Sequence, residues 1–94
     1  MAVVVVNEMR GGDQGMYDEV NPRVMSDGQL PDGCRVHIAG PTDDGWRVIS
    51  VWDTEERFQQ FREEALIPAL QDSGYGDRVA PNITTGEVYK LLTA

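Results

Sequence analysis

The sequence predicts an α+β domain of the ferredoxin-like type, in which a β-α-β-β-α-β order of elements forms one four-stranded antiparallel sheet. Three observations predict it. Four consecutive valines stand near the N-terminus, a strong hairpin signal surrounds Thr42-Asp43-Asp44-Gly45, and two stretches with helical spacing separate the strand candidates. The 94 residues suffice for one domain, which we expect to span residues 1–94.

The first strand is predicted from the β-branched run Val3–Val6, which Gly11-Gly12 then breaks. A run without polar alternation is typical of a strand covered on both faces. Because a domain of this size can cover only one face of its sheet with helices, the other face is expected to need a partner. Homodimerisation is therefore plausible from size and pattern together.

The first helix is predicted to begin after Asp13, a suitable N-cap, and Pro22 predicts a kink or break at Asn21. Its apolar positions follow helical spacing and comprise Met16, Tyr17, Val20 and Val24. Residues 26–33, rich in glycine and proline, are predicted to form a loop.

The second helix is predicted to open at Asp53, which with Glu56 resembles a capping box. Its apolar stripe consists of Phe58, Phe61, Ala65, Leu66 and Ala69. Pro68 would remove the hydrogen bond to the carbonyl of Glu64, so a kink is expected there. Residues 72–82 are predicted to be an irregular linker, and residues 87–92 the last strand.

The central hairpin is predicted over residues 34–40 and 46–52. If Pro41 faces Trp46, then His37 faces Ser50 and Arg35 faces Trp52. One face is then almost wholly aliphatic and holds Val36, Ile38, Ile49 and Val51, with Cys34 on the same side and predicted inert. The other face mixes aromatic and polar side chains, as ligand pockets commonly do, and holds Arg35, His37, Ala39, Trp46, Val48, Ser50 and Trp52.

The composition excludes several classes of partner. A net charge of −8, with Lys90 as the only lysine, argues against nucleic acid and against anionic membrane surfaces. Cys34 is the only cysteine, so no intrachain disulfide is possible, and no apolar stretch approaches the roughly 18 residues of a membrane span. We expect a cytoplasmic protein.

The segment from Gly45 to Phe58, GWRVISVWDTEERF, resembles the dimeric α/β-barrel superfamily, and especially small actinobacterial proteins of the antibiotic biosynthesis monooxygenase type. Further pieces of the resemblance are YDEVN at residues 17–21, HIAG at 37–40 and LIPAL at 66–70. The resemblance spans essentially the whole chain. It implies a dimer of two such sheets, with a pocket between each sheet and its helices.

The members of that superfamily include cofactor-free monooxygenases of aromatic polyketides, haem-degrading oxygenases, cyclases and isomerases. This chain departs from them at several positions. Phe61 stands where many members carry a histidine, and Phe61 and Gln71 stand where haem-degrading members carry a tryptophan and a histidine. Val48 and Phe58 are apolar where quinone-forming members offer polar groups. The resemblance therefore implies no haem ligand in the second helix.

His37 is the candidate general base, because an imidazole pKa near 6.5 suits proton transfer at neutral pH. Arg35 and Trp52 are candidate partners for a carbonyl or oxyanion. The expected substrate pocket further contains Asn7, Tyr17, Trp46, Val48, Ser50, Phe58 and Phe61. Each has a structural alternative: a single strand histidine is more often structural, the tryptophans and Tyr17 could simply pack, Arg35 could pair with one of sixteen acids, and Asn7 could end the first strand.

These residues predict a cofactor-independent enzyme that acts by proton transfer on a small aromatic or polyketide-like metabolite, as a monooxygenase, cyclase or isomerase. The alternative is a non-catalytic homodimer that binds a small ligand or supports another protein. We expect no cofactor and no metal, because one histidine and one cysteine cannot build a usual ligand set.

Overall fold

A computed structural model of the chain describes residues 1–25 and 28–94; Ser26 and Asp27, which begin the predicted loop, lie outside the described residues. The strands are β1 (Val3–Arg10), β2 (Cys34–Thr42), β3 (Gly45–Trp52) and β4 (Ala80–Glu87), and they form one antiparallel sheet in the order β2-β3-β1-β4. The helices are α1 (Gln14–Val24), α2 (Glu55–Phe61) and α3 (Ile67–Asp72), with a π-helical segment (Arg62–Leu66) between α2 and α3. The predicted ferredoxin-like α+β fold is confirmed.

The two faces of the sheet differ in burial. Every second residue of β1, namely Val3, Val5, Asn7 and Met9, is buried on the inner face, which packs against the helices. Val4 and Val6 point to the outer face and are only half-buried. The valine run therefore forms the predicted strand, although within one chain only its inner side is fully covered.

Helix α1 begins at the predicted cap, because the Asp13 carboxylate accepts a hydrogen bond of 2.8 Å from the Met16 backbone N–H. The helix does not break at Asn21, where Pro22 predicted a kink or break, and it continues to Val24. A proline removes one intrahelical hydrogen bond, and the Met25 N–H still reaches the Asn21 carbonyl at 2.9 Å. This hydrogen bond keeps the turn around Pro22 helical as far as Val24.

The second helical run begins one residue later than predicted. The side chain of Thr54, not of Asp53, accepts the capping hydrogen bond from the Arg57 N–H at 3.2 Å. The predicted disturbance near Pro68 takes the form of the π-helical segment just before it. Since Pro68 cannot donate to the Glu64 carbonyl, the preceding turn can widen without losing a further hydrogen bond.

The last strand lies earlier in the chain than predicted. β4 occupies Ala80–Glu87 and begins inside the predicted linker of residues 72–82. Residues 88–94 continue without a strand, so the prediction of 87–92 is wrong. The reason lies in the sheet order: β4 is an edge strand, and an edge strand tolerates a proline such as Pro81.

The hairpin register is as predicted at its tip and differs at its base. Pro41 pairs with Trp46 and His37 with Ser50, as expected. Between Cys34 and Val36 the register shifts, so that Cys34, not Arg35, pairs with Trp52. This bulge places one extra residue in β2 and reverses the side on which the first residues of the strand point.

The core between the sheet and the helices consists of two clusters, each built around one tryptophan. The tip cluster, near the β2–β3 turn, contains Trp46 with Met9, Met16, Val20, Ala69, Leu70 and Val79. The base cluster, at the opposite end of the sheet, contains Trp52 with Val3, Val5 and Phe58. In the described part of the chain, no helix has the length and apolar character required to cross a membrane.

Candidate functional site

A cavity of about 60 Å³ lies between the inner face of the sheet and the helices, with walls contributed by both clusters. Eight of the ten predicted site residues line it: Asn7, Tyr17, His37, Val48, Ser50, Trp52, Phe58 and Phe61. The lining is mostly apolar. Besides Asn21 of α1, its polar side chains form three features: a Tyr17–His37 pair, a Ser50–Trp52 pair and the amide of Asn7.

The Tyr17–His37 pair joins α1 to β2. The Tyr17 hydroxyl lies 2.5 Å from His37 Nε2, and the two rings stack with centroids 5.9 Å apart. Burial lowers the pKa of His37 below its usual value of 6.5, while burial and the nearby Asp18 carboxylate raise the pKa of Tyr17. Both groups are therefore neutral at pH 7, with the phenol keeping its proton.

The Ser50–Trp52 pair lies on β3, two residues apart on the inner face. The Trp52 indole N–H donates a hydrogen bond of 2.9 Å to the Ser50 hydroxyl oxygen, and both side chains are buried. The rings of Phe58 and Phe61 pack on Trp52 with centroid distances of 5.7 and 5.0 Å. Since the indole N–H is already engaged, the Ser50 hydroxyl proton is the donor that this pair can offer to a ligand.

Asn7 lies on β1 in the same cavity wall. The residue is only 6% exposed, and its Oδ1 has no hydrogen-bond partner among the described residues 1–25 and 28–94. A buried polar atom without a partner costs about 1–3 kcal/mol. The amide is therefore a group that a ligand or a water in the cavity would satisfy.

Two predicted site residues lie elsewhere. Arg35, expected beside Trp52, is exposed and forms an ion pair with Asp53, because the β2 bulge turns it away from the inner face. The alternative of a salt bridge is the one that the structure shows. Trp46 is buried in the tip cluster against Tyr17, with ring centroids 5.3 Å apart, and it does not line the cavity.

Cys34 also differs from its prediction. It packs against the base cluster on the inner side and not with the aliphatic face, since the bulge reverses the first residues of β2. Its thiol donates to the Val36 carbonyl at 3.4 Å, and burial raises its pKa, which keeps it in the unreactive thiol form.

Three methionines in the wall had not been predicted as site residues: Met9, Met16 and Met25. Only Met16 carried a signal, through its place in the apolar stripe of α1. Methionine side chains are flexible and polarisable, so this wall can change shape. The change is needed for any aromatic ligand, because a cavity of about 150 Å³ is the size known to hold benzene.

The described residues offer little basis for a metal site. Within residues 1–25 and 28–94, no group of three or more His, Cys, Asp and Glu side chains is arranged to hold a metal ion. The Nε2 of His37, the single histidine, already lies against the Tyr17 hydroxyl.

Neither the comparison with protein-family models nor that with curated proteins gives a match. Solved structures do match. SnoaB, a cofactor-independent oxygenase from Streptomyces nogalater, is similar with a TM-score of 0.68 and 16% identity over 99% of this chain and 98% of that one. A candidate antibiotic biosynthesis monooxygenase from Deinococcus radiodurans has a TM-score of 0.61 and 13% identity, covering 100% and 98%. Rv0793 from Mycobacterium tuberculosis has a TM-score of 0.65 and 12% identity, covering 99% and 100%.

The structural neighbours are therefore antibiotic biosynthesis monooxygenase-like proteins of low sequence identity, and the likeness extends over the whole length of each chain. At such identity the likeness establishes a shared fold. It leaves the reaction to be argued from the side chains of the cavity.

Proposed function

We propose that this protein is a cofactor-independent enzyme that removes a proton from a small aromatic or polyketide-like metabolite. The observation that carries the proposal is the Tyr17–His37 hydrogen bond of 2.5 Å in the wall of an otherwise apolar cavity. Burial lowers the pKa of His37, so the imidazole is neutral at pH 7 and can accept a proton. The general assignment to enzymes is supported by one structural neighbour, SnoaB, which is a cofactor-independent oxygenase.

The substrate class follows from the cavity wall. Phe58, Phe61 and Trp52 suit a planar aromatic ligand, and the few polar groups can orient a carbonyl or hydroxyl on it. The Ser50 hydroxyl takes the role first expected of Arg35 and Trp52. Its proton can stabilise the enolate oxygen that forms when a carbon next to a carbonyl is deprotonated.

The reaction after deprotonation separates the candidate enzymes. An enolate that reacts with molecular oxygen gives a monooxygenase, one that attacks a second carbonyl gives a cyclase, and one that is protonated at another carbon gives an isomerase. The proton transfer is common to all three.

The test uses anthrone, an aromatic ketone with an acidic methylene, in deuterated buffer without oxygen. We expect the protein to accelerate exchange of the methylene protons, measured by proton NMR. His37→Gln should lower the rate about 100-fold or more, the usual contribution of a general base. Oxygen uptake after aeration would then assign the monooxygenase branch. Equal exchange rates for wild type and His37→Gln would refute the proposal.

A second candidate function is non-catalytic binding of a small ligand. The observation in its favour is the unpartnered Asn7 Oδ1, which is a feature of a binding site whether or not chemistry follows. The same experiment separates the two functions: saturable binding of anthrone, detected as quenching of tryptophan fluorescence, without any proton exchange would support the binding protein.

We also propose that no bound cofactor takes part. Haem requires an axial ligand, and Nε2 of the one imidazole of the chain already lies against the Tyr17 hydroxyl. Titration with haem should therefore give no stoichiometric Soret shift. A tight shift that His37→Ala abolishes would overturn this part of the proposal.

The outer face of the sheet supports a homodimer. It carries Val4, Val6, Val36, Ile38, Ile49 and Val51, of which Ile38 is 56% exposed, whereas Val51 is already buried within one chain. Packing against the same face of a second copy would bury this apolar surface. Light scattering at micromolar concentration should show a dimer, and Ile38→Asp should give a monomer; a monomeric wild type contradicts the proposal.

A cytoplasmic location is proposed on the composition. The lone Cys34 is a thiol and the chain carries a net charge of −8. Fractionation of the source cells, followed by detection with an antibody, checks it.

A further inference from the structure

We infer that Tyr17 is a second catalytic residue, whose hydroxyl receives the proton of the substrate and passes its own proton to His37. The inference rests on the proposed function and specifies how its proton transfer takes place. In this arrangement the phenol touches the substrate and the imidazole lies behind it.

The hydrogen bonding of the pair decides which group can meet a substrate. The Tyr17 hydroxyl and His37 Nε2 are 2.5 Å apart, and the phenol holds its proton at pH 7. The relay requires the histidine tautomer in which Tyr17 donates this proton to Nε2. A neutral imidazole has one N–H and one lone pair, so the other nitrogen, Nδ1, carries the hydrogen. The single lone pair of His37 is thus covered by the Tyr17 hydroxyl, whose own oxygen keeps lone pairs that can face the cavity.

The Tyr17 ring is held in place for this role. It packs between the His37 ring, at a centroid distance of 5.9 Å, and the Trp46 ring, at 5.3 Å. Trp46, which the sequence predicts in the pocket, therefore supports the Tyr17 ring from outside the cavity. Pre-organisation of this kind removes the entropy cost of orienting the hydroxyl during the reaction.

The transfer balances without a further reagent. The substrate C–H bond breaks and an O–H bond to Tyr17 forms, while the original Tyr17 O–H bond breaks and an N–H bond to His37 Nε2 forms. The electron pair of the C–H bond stays on the substrate as an enolate, and His37 becomes an imidazolium. In a cyclase or isomerase the relay returns the proton in reverse. In an oxygenase, molecular oxygen is the oxidant: the enolate carbon bonds to it to give a peroxide anion, which takes the proton back from the imidazolium through Tyr17.

The experiment compares Tyr17→Phe, His37→Gln and the double variant in the anthrone exchange assay in deuterated buffer without oxygen. Phenylalanine keeps the ring that packs on Trp46 and removes only the hydroxyl. We expect each single variant to lose about 100-fold in exchange rate, and the double variant to lose no more than either, because both residues serve one transfer. Tyr75→Phe is the matched control: Tyr75 packs against the tip cluster outside the cavity, and its loss should leave the rate unchanged.

The outcomes separate the relay from the proposed function. If Tyr17→Phe exchanges as fast as wild type or faster while His37→Gln is slow, His37 acts directly, and the relay is wrong although the proposed function stands. If the wild type does not accelerate exchange, or if His37→Gln exchanges as fast as the wild type, the proposed function fails and the relay with it.

A measurement on the free protein tests the premise independently of activity. Nitrogen-15 NMR of the wild type should show His37 Nε2 unprotonated and Nδ1 protonated at neutral pH. The pKa of His37 should rise in Tyr17→Phe, since the hydrogen bond that favours the neutral imidazole is lost, and should not change in Tyr75→Phe. A proton on Nε2 in the wild type would overturn the relay.

Discussion

The two tryptophans of β3 occupy the same face of the same strand, yet they serve different purposes. Trp52 is 1% exposed, its N–H is bonded to Ser50 and its ring forms part of the cavity wall. Trp46 is 7% exposed, and its Nε1 is buried with no partner among the described residues. The base cluster thus uses its tryptophan at the site, whereas the tip cluster uses its tryptophan to support Tyr17.

The difference follows from what lies opposite each ring. Phe58 and Phe61 of the second helical run pack on Trp52, and Ser50 is within reach of its N–H. Trp46 instead meets α1, whose Tyr17 uses its hydroxyl on His37 and has none to offer the indole. A residue's role in such a site is decided by its cross-layer neighbours more than by its position on the strand.

The largest effect that would break the comparison comes from Gly45, at the tip. A Cβ at this position would lie 2.1 Å from the Met9 carbonyl oxygen and 2.9 Å from the Arg10 Cα, so β1 and β3 would have to separate. We expect Gly45→Ala to lower the free energy of unfolding by about 4 kcal/mol or more. Urea unfolding followed by circular dichroism measures this.

The matched control is Gly40→Ala, because a Cβ at Gly40 meets no atom within 4 Å. It should change stability by less than about 0.5 kcal/mol. If Gly45→Ala loses the near-ultraviolet signal of Trp46 while that of Trp52 persists, the two clusters unfold separately. If both signals are lost together, the domain is cooperative. A Gly45→Ala variant as stable as wild type would contradict the close approach.

The inner face of the sheet could be predicted from the sequence because period-2 alternation and the Asp43-Asp44 turn determine it together. The pairing of His37 with Ser50 and the grouping of His37, Ser50 and Trp52 at the cavity follow from that register. Arg35 was misplaced because a bulge has no signal in the alternation of hydrophobic and polar residues. One extra residue in β2 was enough to exchange Arg35 and Cys34 between the faces.

The last strand and the contacts across layers could not be predicted. Pro81 and the polar character of residues 80–87 are typical of a loop, and only the edge position of β4 makes them compatible with a strand. The Tyr17–His37 hydrogen bond joins α1 to β2. The spacing of apolar residues along each element does not define how the helix is rotated against the strand. Tyr17 was therefore predicted as a wall residue and not as a partner of His37.

The next largest effect distinguishes the two tryptophans directly. Trp52→Phe removes the donor to Ser50 and leaves that buried hydroxyl without it, whereas Trp46→Phe removes an N–H that has no partner. Both variants lose ring volume. We therefore expect Trp52→Phe to be less stable than Trp46→Phe by about 1–3 kcal/mol, measured by urea unfolding with circular dichroism. Equal losses would mean that the Ser50 hydrogen bond contributes nothing.

A smaller effect concerns the two polar residues between the clusters, Asn7 and Ser50. Asn7→Leu removes a buried oxygen that lacks a partner, and we expect it to leave stability unchanged or to raise it by about 1 kcal/mol while weakening anthrone binding. Ser50→Ala removes a satisfied hydroxyl and should lower stability by about 1 kcal/mol. Thermal unfolding of both variants, with anthrone titrations, checks the pair. Destabilisation by Asn7→Leu would show that the amide is satisfied in solution.

The smallest effect is the pH dependence that His37 imposes on stability. Burial lowers the pKa of His37 in the folded chain below 6.5, and the group facing it from α1 is the neutral Tyr17 hydroxyl. As the pH falls through about 6.5, the unfolded chain binds a proton at this residue before the folded chain does, so the unfolded state gains free energy of binding. The contribution of His37 is therefore fully present above pH 6.5 and declines until the pH passes the folded-state pKa.

The difference in unfolding free energy between wild type and His37→Gln isolates this contribution, because the titrating acids are common to both. That difference should shift in favour of His37→Gln as the pH is lowered from about 7 to about 5, and remain constant from about 7 to about 9. Tyr17→Phe should show a smaller shift, since its His37 pKa lies closer to the ordinary value. A difference that is independent of pH would mean that the imidazole is as well solvated in the folded chain as in the unfolded one. The tip cluster would then not shield the Tyr17–His37 pair from water.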